Sequence, residues 1–65
     1  MDKQVKIVYT NYKGETAIRS IEPIEIFFGS NQWHKDEQWL LRAYDIEKYA
    51  ERTFSLKDIH YWYIE

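Results

Sequence analysis

Three arginines, Arg19, Arg42 and Arg52, stand in a chain unusually rich in rings. A guanidinium among aromatics can grip a phosphate through two parallel hydrogen bonds, or stack flat on a base. Tyr9, Trp33 and Lys35 complete the candidate binding set. Tyr9 belongs with Tyr12 near a predicted hairpin. Trp33 and Lys35 sit in a polar stretch where an indole is out of place unless it caps the fold or offers a stacking platform. The competing reading of Arg52 is an ion pair with Glu51, Glu47 or another of the eleven acids on a solvated face. Tyr61, Trp62 and Tyr63 form a second aromatic run near the C-terminus. Alternation puts Tyr61 and Tyr63 on one face and Trp62 on the other, so at least one face is expected in the core.

Other chemistries find little support. A zinc site needs three or four converging ligands. The two histidines, His34 and His60, follow no HxH or HxxxH spacing, and cysteine is absent. Two glycines cannot build a phosphate loop of the Walker or Rossmann type. Three serines and two histidines show no triad logic. Asp36-Glu37 and Asp45-Glu47 read as solvated charge and capping groups. The expectation is a binding protein without cofactor or metal, and not an enzyme.

Length and composition bound the class. Sixty-five residues make one domain. Nine basic against eleven acidic side chains leave a net charge of −2, so any basic patch must be local. Twelve aromatics exclude a disordered chain. No apolar run approaches the roughly 20 residues of a spanning helix, so no membrane role is expected. Without cysteines or a secretory leader the expected setting is the cytoplasm. A domain this small buries only about 60% of its unfolded surface. Most of the aromatics are therefore expected to serve the core.

The elements that must position these residues are strands. Eight Ile, two Val and three Thr join the aromatics, and all favour extended backbone. Val5, Ile7 and Tyr9 alternate with polar or outward positions. Asn11-Tyr12-Lys13-Gly14 supplies a turn, with Gly14 able to take positive φ. Thr16 to Phe28 reads as one long strand with a defect. Ile21 and the set Ile24, Ile26, Phe28 have opposite parity, and the change falls at Glu22-Pro23. Proline cannot donate to a ladder, which predicts a bulge or sharp bend there. A polar loop runs from Gly29 to Glu37. Gln38 to Tyr44 is a third strand, in which Trp39 shares parity with Leu41 and Ala43 and is expected in the core. Asp45 to Ala50 is expected to form one helical turn with Asp45 as N-cap. Glu51 to Ser55 and Ile59 to Ile64 are the fourth and fifth strands, with a turn at Leu56-Lys57-Asp58. Five short strands, one strongly bent, predict a small Sm-like or SH3-like barrel, because closure removes exposed edges.

Two stretches carry recognisable text. Trp39-Leu40-Leu41-Arg42-Ala43-Tyr44-Asp45 and Arg52-Thr53-Phe54-Ser55-Leu56-Lys57-Asp58-Ile59 resemble the WYL domain of bacterial regulators. Ile7-Val8-Tyr9, Lys13-Gly14-Glu15, Arg19 and Pro23 fall in the family's order upstream. The likeness runs from about Val5 to Ile64. It is similar to a short branch of stand-alone bacterial and phage proteins, through Phe28-Gly29-Ser30, Trp33-His34 and Gln38-Trp39-Leu40-Leu41.

The resemblance implies an Sm-like barrel that senses a ligand, in some members single-stranded nucleic acid, through basic and aromatic residues. Larger members carry a helix-turn-helix ahead of the barrel and regulate transcription. Here the first strand begins near Met1, so no recognition helix is expected. Three positions depart from the family pattern. Leu40 replaces a Tyr, while Ser55 and Asp58 replace arginines, which removes two cations and adds an anion. Fewer cations facing phosphates means a weaker salt-dependent part of nucleic-acid affinity. The expected partner is single-stranded DNA or RNA, or a nucleotide. The alternative is a protein partner or a homo-oligomer, because small barrels add partners at strand edges.

Overall fold

The computed structural model describes residues 3–64. The strands are β1 (Val5–Thr10), β2 (Thr16–Gly29), β3 (Gln38–Asp45), β4 (Ala50–Ser55) and β5 (Ile59–Ile64). All neighbours are antiparallel, and the order across the sheet is β4-β3-β2-β1-β5. Leu56–Asp58 is a single 3₁₀ turn. The all-β expectation with at most one short helical turn is met. Closure is not: β4 and β5 remain the two edges of one sheet, so the barrel is a strongly curved open sheet.

Local chemistry accounts for each bend. In β1, Val5, Ile7 and Tyr9 are buried and Lys6 is exposed, as period two requires. The first hairpin closes on Asn11. Its Oδ1 accepts the N–H of Lys13 and of Glu15, at 2.9 and 3.0 Å, and Gly14 takes φ 81°. In β2, Pro23 pairs with Ala43 and Glu25 with Arg42, which leaves Ile24 as the extra residue of a bulge. The proline defect therefore lies where the parity change predicts. Paired residues share a face of the sheet. Arg19, Ile21 and Pro23 face inward before the bulge, and Ile26 and Phe28 after it.

The segment between β3 and β4 differs from expectation. It is a tight non-helical turn, and Asp45 and Ala50 are its paired strand ends. Asp45 keeps a capping role nonetheless, since its Oδ1 accepts the N–H groups of Glu47 and Lys48 at 3.1 and 3.2 Å. Tyr49 closes the turn at φ 55°.

The core is Val5, Ile7, Tyr9, Ile21, Leu41, Ala43 and Phe54, with Leu56 and Ile59 packed against it. Each large apolar side chain buried there contributes about 1.5–3 kcal/mol of transfer free energy.

Three packing expectations are overturned. Trp39 shares the inward face with Leu41, yet lies 56% exposed, stacked edge to face on Phe28 at 5.3 Å. Trp62, opposite Ile7 on the same face, is 46% exposed, and Tyr61 and Tyr63 on the other face are exposed as well. Of β5 only Ile59, opposite Tyr9, packs against the core. Of the twelve aromatics only Tyr9 and Phe54 are buried, so most of them do not build the core. The cause is the open sheet. Inward positions near its rim have no strand closing over them, and alternation cannot show where cover ends.

Candidate functional site

An open groove of about 990 Å³ runs along the β4 side of the sheet. Tyr9, Arg19, Arg42, Arg52 and Trp33 all line it, together with Phe54. Five of the six candidate residues are thus brought together. Lys35 is exposed on the same loop as Trp33 but does not line the groove.

The floor belongs to the core. Tyr9 meets Phe54 edge to face, with centroids 4.9 Å apart. The Tyr9 hydroxyl accepts the N–H of Ser55 at 3.3 Å. Burial pushes the Tyr9 phenol above its usual range. The Ser55 hydrogen bond opposes that, Asp58 adds to it, and Arg19 opposes it.

Asp45 is fully buried and does not line the groove, but it holds two of the arginines that do. Its Oδ2 lies 3.7 Å from Arg19 Nη1 and 3.7 Å from Arg52 Nε. These are ion pairs without a hydrogen bond. Asp45 Oδ2 and Arg19 Nε are both buried and have no hydrogen-bond partner. The positions follow from register. Arg19 lies opposite Ile7, Arg52 opposite Ala43, and Asp45 opposite Ile21, all on the inward face. The acid beside Arg52 is therefore Asp45, not Glu51 or Glu47.

Arg42 is engaged differently. It lies on the outward face between Glu25 on β2 and Glu51 on β4. Its Nε donates to Glu25 Oε1 at 3.3 Å and its Nη1 to Glu51 Oε1 at 2.9 Å. The Glu51 hydrogen bond, with help from the charge of Glu25, raises the guanidinium pKa further above its already high value.

The loop between β2 and β3 forms the outer wall. Asn31 organises it, its Oδ1 accepting the N–H groups of Trp33 and His34 at 2.9 and 2.7 Å. His34 ties the loop to β4 through Nε2 and the Thr53 carbonyl, 3.1 Å apart. The Trp33 indole is left 74% exposed. The cap and the platform of Trp33-His34 are thus separate residues: the histidine anchors and the indole stays free. His60 is likewise engaged, with Nε2 2.8 Å from Thr10 Oγ1. No cluster of three metal-ligating side chains occurs among the described residues.

A family model for the WYL domain matches residues 1–64. The chain belongs to the WYL domain family. No curated protein and no solved structure matches it. WYL domains are regarded as ligand-sensing regulatory modules. The departures of this WYL domain also acquire places. Leu40 and Ser55 are fully buried, and the Ser55 hydroxyl donates to Gln38 Oε1. Ser55 is a packing residue here, where the family pattern has a cation. Asp58 ends the 3₁₀ turn, near enough to Tyr9 to act on its phenol.

Sequence reasoning missed Asp45 as a member of the site. Its signal is present but ambiguous, because an aspartate that opens a turn is read as a cap. The second oxygen, aimed at two arginines from other strands, is a tertiary fact.

Proposed function

We propose that this WYL domain is a non-enzymatic regulatory module that binds a nucleotide, or a nucleotide unit of single-stranded DNA or RNA, in the arginine-lined groove. One observation carries the reading. Arg19 and Arg52 are held by Asp45 at ion-pair distance, yet neither guanidinium donates a hydrogen bond among the described residues. Their N–H groups are oriented, partly desolvated and unspent. That is the state in which guanidinium groups bind an anionic oxygen best. The exposed Trp33 ring and Tyr12 at the hairpin tip supply stacking surfaces on the same groove.

The setting that fits such a ligand is the cytoplasm. No described helix is long and apolar enough to cross a membrane.

Arg52→Ala tests the reading. Arg52 is half-exposed, so the fold should survive. Loss of a charge-assisted hydrogen bond worth about 1.5 kcal/mol or more predicts at least about tenfold weaker binding. Unchanged affinity would remove Arg52 from the site.

A second reading rests on β5. It is an edge strand with no Lys, Arg, Asp or Glu and no proline between Ile59 and Ile64, and its Trp62 and Tyr63 are half-exposed. Edges are normally guarded by such residues. An unguarded edge favours strand addition by a partner protein or a second copy. Light scattering after size exclusion decides the self-association part. A strict monomer at high protein concentration contradicts it.

A further inference from the structure

We infer that the groove is built to take one anionic group at a time, and that Asp45, Glu25 and Glu51 set that limit. The inference rests on the groove reading above and narrows its ligand to a planar unit bound through a single phosphate.

The charges divide into two sets. On the inward face, two guanidiniums share one buried carboxylate, which leaves a single net positive charge at Arg19 and Arg52. On the outward face, Arg42 is hydrogen-bonded to two carboxylates, which leaves a net negative charge. Among the described residues that line the groove, Arg42 is the third cation, and it is already outweighed. No lysine lines this wall.

The donors divide in the same way. Arg42 spends Nε and Nη1 on glutamates. Arg19 Nε is buried and unpartnered, and its terminal nitrogen stands at 3.7 Å from Asp45, too far for a hydrogen bond. One phosphate oxygen received in the groove would meet the terminal nitrogens of Arg19 and Arg52 together, while the buried Arg19 Nε stays out of reach. A second phosphate of the same strand finds no comparable place. It would approach the Glu25–Arg42–Glu51 ladder, which opposes it by like charge. Stacking on Trp33 is indifferent to strand length, so the rings do not restore a preference for a polyanion.

The experiment compares two probes on the full chain by nitrogen-proton NMR titration over a range of salt. One is adenylyl-adenosine, which carries one phosphodiester. The other is octadeoxyadenylate. Each phosphate neutralised on a single strand gives a log-log salt slope of about −0.7. The inference predicts about that slope for the octamer and a shallower one for adenylyl-adenosine, whose single charge condenses no counterions, with the octamer favoured only by the number of overlapping registers it offers. It also predicts that the double variant Glu25→Gln/Glu51→Gln steepens the octamer slope to about −1.4, by releasing Arg42, and leaves adenylyl-adenosine unchanged. Both glutamates are more than half exposed, so the fold is not at stake. Octamer binding to the unaltered chain with a slope of about −2 or steeper would overturn the single-anion limit and uphold the groove. A double variant whose octamer slope does not move would overturn the role of the glutamates. Binding of neither probe at low salt would overturn the groove reading itself, and this inference with it.

Discussion

The ring of Tyr9 meets that of Phe54 edge to face, with centroids 4.9 Å apart and planes at 84°. One ring comes from β1 and the other from β4, so the pair spans the curvature of the sheet. Both residues belong to the core and both line the groove. The site is not appended to the fold, because its floor is the packing that makes the sheet curve.

Phe54→Ala therefore strikes at stability first. Removing a buried Phe costs about 3–5 kcal/mol. A domain below about 70 residues has a total stability of about 3–5 kcal/mol. The variant should be largely unfolded at room temperature, with collapsed proton dispersion in NMR. A folded spectrum with a near-normal melting midpoint would show that Phe54 is not central to the core.

Tyr9→Phe separates the hydroxyl from the ring. The variant loses the hydrogen bond from Ser55 and should be about 1 kcal/mol less stable at neutral pH. The pH dependence has a definite sign. The folded phenol titrates above its unfolded value near 10, chiefly because burial disfavours the phenolate. Its stabilising contribution is complete below the unfolded value and is lost as pH rises through the folded one. The unaltered chain should lose more urea resistance between neutral and strongly alkaline pH than Tyr9→Phe does. Equal losses would remove Tyr9 from the alkaline transition.

Gly14 and Tyr49, the two positive-φ residues among those described, should respond in opposite directions. Gly14 sits at φ 81°, where an added Cβ would meet nothing within 4 Å. Gly14→Ala should then cost only the backbone penalty, about 1–2 kcal/mol. Tyr49, 82% exposed at φ 55°, already bears that penalty. Tyr49→Gly should raise stability by about 1 kcal/mol, through relief of left-handed strain. Chemical denaturation of both variants checks the pair. A destabilised Tyr49→Gly would mean that the tyrosine ring does more than its exposure shows.

Asp45 has two jobs on two oxygens. Asp45→Ala removes the turn acceptor for Glu47 and Lys48 and leaves Arg19 and Arg52 without their shared anion. A loss of about 3 kcal/mol follows from breaking a buried ionic cluster. Asp45→Asn keeps an acceptor at Oδ1 and should lose clearly less. Equal losses would mean that the turn contributes nothing and the charge everything.

Much of the fold is legible in the sequence because it is local. The alternation of Val5, Ile7 and Tyr9, the Asn11–Gly14 turn and the bulge beside Pro23 each follow from a few neighbouring residues. The placing of Arg19 and Arg52 on one face of the sheet follows from strand register, which the hydrophobic pattern largely sets. What is not legible depends on closure. Trp39 and Trp62 have core parity and lie exposed, since the sheet stops before it covers them. Asp45 reads as a simple cap, because its second oxygen acquires meaning only when β2 and β4 bring arginines to it. Arg42 reads as a companion of Arg52. Glu25 and Glu51, distant in sequence, turn it into part of a neutralised ladder.

The most direct test of the account is where a ligand touches the labelled domain. Nitrogen-proton NMR spectra should be followed during titration with adenylyl-adenosine at low salt. The account predicts shifts gathered on Arg19, Arg52, Thr53 and Phe54 and on the Trp33 indole, fading as salt is raised. An unchanged spectrum, or shifts confined to β5, would contradict the groove as the binding site.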